Sequence, residues 1–309
     1  MTYSQWITQW LPLKEKLVKE STFASYSNIL VNHLLPKFGV YEINKITENE
    51  IQHYVFELLN SGRLDNHGGL SDRATKDIVV VLKNTLKDAI RYKLISPSVF
   101  EIKFPKKEQQ GKLKIISHET QNRLIQSIYL NLNRRTFGIL ICLYTGLRIG
   151  EICGLKDSDL NFEAQILKVS RTLQRVYRKS LNGVGKSKLI ETSPKSRTST
   201  REIPISQILL PVFSRFDFSS SENYFLSGTE KCIEVRTYRS FFEHFLIQNN
   251  IEKFNFHSLR HTFATRCIEA GADCKTVSEI LGHSTVNMTL NLYVHPQMEQ
   301  KRRCVNMLK

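Results

Sequence analysis

His257, Arg260, His283 and Tyr293 fall in the last sixth of a 309-residue chain, and Arg148, in TGLRIGE, stands more than a hundred residues upstream. Together these side chains form a set able to hold a phosphate and attack it. Two guanidiniums bracket its oxygens with paired hydrogen bonds, imidazoles donate to those oxygens or shuttle protons, and a phenol attacks phosphorus. No metal ion, nucleotide or other cofactor is needed for that inventory to work, and none is expected.

The spacing supports the grouping. In HSLRHTFATRC an offset of three puts His257 and Arg260 on one side of a helix start. In ILGHSTVNMTLNLYVH, Gly282 ends one helix, Ser284 or Thr285 caps the next, and His283 stands at the junction. Arg148 follows Gly146 at a helix boundary, where a guanidinium projects into a cleft and helix-end N–H groups favour an anion. Lys195, in SPKSRTSTRE between two strand candidates, is expected at a hairpin tip, with Lys186, Lys188 and Arg197 close by in sequence. Each residue alone has a plainer reading: a core tyrosine, a capping histidine, a solvated lysine. Their joint presence in fixed order carries the weight.

The elements that must position them read as a mainly α protein with a small antiparallel β-sheet. Residues 1–104 form an expected helical bundle. TENEIQHYVFELLN opens on Thr47 with Glu50 three residues later and carries Ile51, Tyr54, Val55 and Leu58 on one face. SDRATKDIVVVLKNTLKDAIRYKLI repeats apolar residues at Ile78, Val81, Leu82, Leu86, Ala89 and Ile90. PKKEQQGKL, residues 105–113, is polar and lacks apolar periodicity before its last residue, so it reads as a linker. A second domain, residues 114–309, follows. Within it RRTFGILICLYTGLRIGEICGL reads as a buried helix pair broken at Thr145-Gly146, and ILKVSRTLQRVYR, KLIETSPK and TREIPIS read as strands, with a break at Asn182-Gly183.

Composition sets the partner class. Forty-four Lys and Arg against 29 Asp and Glu leave a net charge of +15, which favours an anionic polymer. Residues 1–113 hold 16 basic and 12 acidic residues and residues 114–309 hold 28 and 17, so both halves suit domains closing around a duplex. Neither a signal peptide nor a membrane span is visible, and a cytoplasmic location is expected. The six cysteines show no CxxC pair and fit reduced thiols.

TGLRIGEICGL, SPKSRTSTREIPI, HSLRHTFAT, ILGHSTVNMT and Tyr293, in that order, resemble the tyrosine recombinase or phage integrase family. The likeness points to integrases of conjugative transposons and temperate phages. It implies a catalytic domain over roughly 114–295 and a helical, SAM-like core-binding domain before it. It also implies that Arg148 and Arg260 are the arginine pair, His257 and His283 the two histidine positions, Lys195 the hairpin lysine, Glu151 a supporting acid and Tyr293 the nucleophile. His261 receives no catalytic role. The implied reaction is site-specific strand exchange at double-stranded core or attachment sites, through a 3′-phosphotyrosyl link and a Holliday junction. The implied assembly is a homotetramer on DNA, with an excisionase or host DNA-bending protein as further partners. In the tail after Tyr293, Val305, Met307 and Leu308 are candidates for docking on a neighbouring protomer. Many such integrases carry an arm-binding domain ahead of the core-binding domain, whereas this sequence opens almost directly on the latter.

Three rivals remain at this stage. A zinc hydrolase would use His257 and His261 at i, i+4, but the intervening Ser-Leu-Arg lacks the glutamate of HExxH and places a cation beside the metal. A helix-turn-helix regulator fits CKTVSEILGHSTVNMTLNLYV yet has no use for Arg148, Arg260 and Tyr293 together. A type IB topoisomerase shares the chemistry without strand exchange.

Overall fold

The computed structural model describes residues 1–65, 67–105, 115–192, 200–218 and 220–293, together with Arg302, Val305 and Asn306; of residues 291–293 it describes the backbone alone. Lys195, most of the expected linker and most of the tail, including Met307 and Leu308, lie outside the described residues. The chain divides into two compact units, residues 1–110 with 176–188, and residues 111–175 with 189–309.

The first unit is a helical bundle: α1 (Tyr3–Leu17), α2 (Glu20–Ile29), a π turn at Leu30–Leu34, α3 (Leu35–Phe38), α4 (Glu48–Ser61) and α5 (Asp72–Arg91). The starts follow local chemistry. Thr2 and Gln5 form a capping box on α1, and Thr47 and Ser71 accept backbone N–H bonds at the starts of α4 and α5. Trp6, Trp10, Phe23, Leu30, Phe38, Ile51, Leu82 and Leu86 fill the core. The two tryptophans keep their indole N–H groups satisfied, Trp6 on the Thr85 carbonyl at 3.0 Å and Trp10 on Asp88 at 2.7 Å.

The second unit begins with α6 (His118–Leu130), α7 (Arg134–Thr145) and α8 (Ile149–Gly154). Gly146 ends α7 in the left-handed conformation, φ 66°, at the predicted break. Strands follow along the chain: β1 (Leu160–Asn161), β2 (Ile166–Val169), β3 (Thr172–Lys179), β4 (Gly185–Thr192) and β5 (Arg201–Pro204), of which the part of β3 and β4 within residues 176–188 belongs to the first unit. Helices close the chain: α9 (Leu210–Phe213), α10 (Val235–Gln248), α11 (His257–Glu269), α12 (Cys274–Leu281) and α13 (Val286–Tyr293). Leu124, Ile128, Phe137, Leu140, Leu167, Ile203, Phe225 and Phe242 belong to one core.

The strands form two sheets, β1-β2-β5 and β3-β4, rather than one. In the first, β2 pairs antiparallel with β5, Leu167 opposite Ile203 and Val169 opposite Arg201, so these four share the inward face. In the second, Asn182-Gly183 supplies the turn between β3 and β4, with Gly183 at φ 81°. Among the described residues β4 and β5 do not pair with each other: β5 pairs with β2 and β4 with β3. No helix among the described residues is long and apolar enough to cross a membrane.

Gly146 gives this unit a sensitive point. A Cβ there would stand 2.7 Å from the side chains of both Leu281 and Phe263. Gly146→Ala should destabilise by more than the roughly 1–3 kcal/mol of backbone strain alone, read as a lower denaturant midpoint. An unchanged midpoint would contradict the left-handed cap.

Candidate active site

Three consecutive carbonyls at the end of α12 each receive an arginine. Arg201 Nε donates to the Ile280 carbonyl, Arg260 Nη2 to Leu281 at 2.7 Å, and Arg148 Nη2 to Gly282 at 3.2 Å. The last carbonyls of a helix have no partners within it and lie at the negative end of its dipole, so cations settle there. Gly282, at φ 63°, turns the chain out of α12. A Cβ on it would approach the Arg201 guanidinium to 3.1 Å.

Each arginine has a second anchor. Arg260, 2% exposed on α11, also donates to the Gly146 carbonyl at 2.7 Å, which ties α11 to the end of α7. Arg148 occupies the N-cap position of α8 and reaches Glu151 with Nη1 at 2.8 Å, while its backbone N–H donates to the same carboxylate at 2.8 Å. Arg201 grips the carboxylate from the other side, with Nη1 and Nη2 at 3.1 and 3.0 Å. Burial by itself would raise the Glu151 pKa. The hydrogen bonds and charge of Arg201, helped by Arg148, overcome it and hold the group at about 2.

Arg201 is absent from the set chosen by motif, yet it carries half of the Glu151 clamp. Its signal in the sequence is one of phase: in TREIPI the inward alternation runs Arg201, Ile203, Ile205, so an arginine stands where an apolar residue is expected. A charge in the buried phase of a strand needs a buried partner.

The histidines lie around this frame. His257 opens α11 and packs edge-on against His261, ring centres 4.5 Å apart. Partial burial, followed by the charges of His261, Arg260 and Arg148, lowers the His257 pKa to about 4. His283 places Nδ1 2.9 Å from the hydroxyl of buried Thr289. With that hydroxyl donating, Nε2 bears the ring proton. Burial first, then Arg260, Arg148 and Arg201, lowers His283 to about 4 as well. Both rings are neutral at pH 7, so His257 can accept a proton and His283 can donate a hydrogen bond.

Arg148, Glu151, Arg260 and His283 are thus brought together through shared backbone groups and one carboxylate. Tyr293 ends α13, which leaves the His283 turn; its side chain lies outside the described residues, as does Lys195. Among the described residues no group of three or more His, Cys, Asp or Glu side chains is arranged to hold a metal ion.

Residues 114–300 match the model of the phage integrase family, and residues 2–59 match that of the phage integrase N-terminal SAM-like domain. The chain belongs to the phage integrase family. This tyrosine-type recombinase is 27% identical to the tyrosine recombinase XerC-like protein of Caldanaerobacter subterraneus subsp. tengcongensis, over 94% of this chain and 78% of that one. It is 31% identical to the transposase from transposon Tn916 of Enterococcus faecalis, over 51% of this chain and 41% of that protein. Among solved structures, the Tn1549 transposon integrase in complex with a circular intermediate DNA superposes over 100% of both chains, with a TM-score of 0.78 at 23% identity. A lambda integrase tetramer bound to a Holliday junction gives a TM-score of 0.62 at 15% identity, over 95% of this chain and 78% of that one. These two likenesses establish the shared fold, mainly helical with small antiparallel sheets. The integrase is a site-specific DNA recombinase.

Two outcomes follow from the electrostatics. Arg201→Ala strips donors from a buried carboxylate and should cost about 3–5 kcal/mol of stability; a loss below about 1 kcal/mol by urea titration would rule out the clamp. For the histidines, the folded pKa of about 4 lies below the ordinary 6.5, so the unfolded chain binds more protons between those values. Stability of the DNA-free protein should therefore fall as pH drops from 7 to 5, and His283→Asn should flatten that slope; Glu151, charged down to about 2, does not titrate in this window.

Proposed function

We propose that this recombinase cleaves and rejoins DNA with Tyr293 as nucleophile, Arg148 and Arg260 as the phosphate clamp, His257 and His283 as proton and hydrogen-bond partners, and Lys195 as general acid. One observation carries the reading. Arg260, Arg148 and His283 come from three separate helix ends and meet on the consecutive residues Leu281, Gly282 and His283. The helix end accounts for cations at this turn, and the function accounts for why a neutral histidine stands beside two of them.

In the proposed step the Tyr293 oxygen attacks the scissile phosphorus as its proton passes to neutral His257. The bond from phosphorus to the 5′-oxygen breaks, and the Lys195 ammonium supplies the proton that oxygen needs. The product is a 3′-phosphotyrosyl link and a 5′-hydroxyl; the reverse step on another strand rejoins the DNA. As negative charge builds on the phosphoryl oxygens, Arg148 and Arg260 stabilise it, and a positioned donor of this kind is worth roughly a hundredfold to a thousandfold in rate. Glu151 and Arg201 act through Arg148 by fixing its guanidinium.

The wider reading is integration and excision of a mobile element in the cytoplasm, on nucleoid DNA. The helical first unit serves as the core-binding half, the recombinase works as a homotetramer on two sites, and an excisionase or host bending protein sets direction. The named relatives, among them the ICEBs1 integrase of Bacillus subtilis, 22% identical over 90% of this chain, support that context.

A nicked duplex carrying the repeat that flanks the gene is the direct test. Native protein should leave a covalent band that survives SDS, Tyr293→Phe should abolish it, and Arg148→Lys should weaken it about a hundredfold or more. Absence of a band with every flanking repeat would sink the assignment, and relaxation of plasmid lacking such a site, without strand exchange, would favour a topoisomerase.

A further inference from the structure

We infer that Thr289 is a positioning residue for the recombinase reaction: its hydroxyl holds the His283 ring in one orientation and in the tautomer whose Nε2 carries the proton, so the helix that ends on Tyr293 also sets the hydrogen-bond donor. The inference rests on the donor role proposed for His283.

The direction of one hydrogen bond decides the tautomer. Thr289 is fully buried, and its Oγ1 stands 2.9 Å from His283 Nδ1. A threonine inside a helix can turn its hydroxyl back on the carbonyl four residues earlier, as Thr8 does on Ser4 at 3.0 Å and Thr145 on Ile141 at 2.6 Å. Thr289 makes no such bond among the described residues, and its hydroxyl proton goes to Nδ1 instead. A proton on Nδ1 would make Oγ1 the acceptor and leave the hydroxyl proton buried without a partner. That disfavours the other tautomer on the order of tenfold to a hundredfold. The doubly protonated ring is excluded at pH 7 by burial and by the neighbouring guanidiniums.

His283 is fixed from two helices. Its backbone N–H donates to the Ser278 carbonyl of α12 at 3.0 Å, closing the turn that left-handed Gly282 makes, and its ring is held on α13. The backbone bond places Cβ and leaves the two side-chain torsions open. The bond to Thr289 settles them, and with them where Nε2 points. This ring follows directly on Leu281 and Gly282, whose carbonyls hold Arg260 and Arg148.

Thr289 lies one turn before Tyr293 on α13. Seating of that helix supplies the hydroxyl, and its withdrawal would leave His283 to choose both tautomer and rotamer. The donor is therefore set only while the helix of the proposed nucleophile is docked. A threonine kept for packing alone could be replaced by valine, which has the same shape; a threonine kept for its proton could not.

The test pairs proton–nitrogen NMR of the histidine rings in full-length protein at pH 7 with single-turnover cleavage of the nicked flanking-repeat duplex. His283→Ala identifies the resonances among the nine histidines. In native protein His283 should show a protonated Nε2 and a bare Nδ1. Thr289→Val should give a mixture of tautomers and slow cleavage about tenfold, with duplex affinity unchanged by gel shift. Thr289→Ser, which keeps the hydroxyl, should restore the single tautomer and most of the rate. A proton on Nδ1 in native protein overturns the inference whatever the variants do, and so does a Thr289→Val protein that keeps the native ring spectrum or the native rate. Native cleavage by His283→Ala would instead remove His283 as donor, the reading beneath the inference, while the ring spectrum reports separately whether Thr289 sets the tautomer.

Discussion

The active region depends on the carbonyl end of one short helix. An α-helix leaves its last carbonyls without partners, and the end of α12 resolves this with guanidiniums from β5, α11 and the N-cap of α8. The same three bonds satisfy the helix, hold the arginines in place and assemble parts of the chain far apart in sequence. Arg260 extends the arrangement by bridging to the Gly146 carbonyl, so two left-handed glycine caps, at 146 and 282, are tied through one side chain. A lysine at any of these positions would bring one charge without a planar fork and could not join two carbonyls or a carboxylate and a carbonyl in the same way.

Crowding cations has an electrostatic cost, and the site offsets it in two ways. Glu151 is the buried countercharge, and four hydrogen bonds from Arg148 and Arg201 keep it ionised despite burial. The histidines answer by losing their protons: each sits among guanidiniums that disfavour a further positive charge, and each is neutral well below pH 7. The resulting cluster is rich in guanidinium yet keeps unprotonated imidazole beside it. Neighbouring guanidiniums are themselves among the causes that keep both imidazoles unprotonated, after burial.

Much of this was legible in the sequence, for reasons that are local. Gly146 and Gly282 mark helix ends because only glycine enters the left-handed region cheaply, so Arg148 and His283, placed just after them, could be assigned to boundaries. The offset of three in HSLR put His257 and Arg260 on one helix face before any packing was known. Arg201 was not legible by motif, since its role comes from the β2–β5 register and a partner fifty residues away. The β region was located, but β1 was not read, ILKVSRTLQRVYR divides into β2 and β3, and the grouping was not legible: β3 and β4 pair with each other, and the hairpin packs with the helical bundle through an asparagine some 150 residues upstream. Alternation reports which face of a strand is inward; it carries no information on which neighbour supplies the cover.

These non-local features also explain why the phosphate frame and the proposed nucleophile belong to one mechanical unit. α13, whose last residue is Tyr293, starts four residues after the Gly282 carbonyl that holds Arg148, and buried Thr289 on α13 bonds the His283 ring. A shift of α13 relative to α12 would strain the Thr289–His283 bond first and act on the arginine carbonyls next. The arginine frame and the helix that ends on Tyr293 are therefore coupled by one turn of chain.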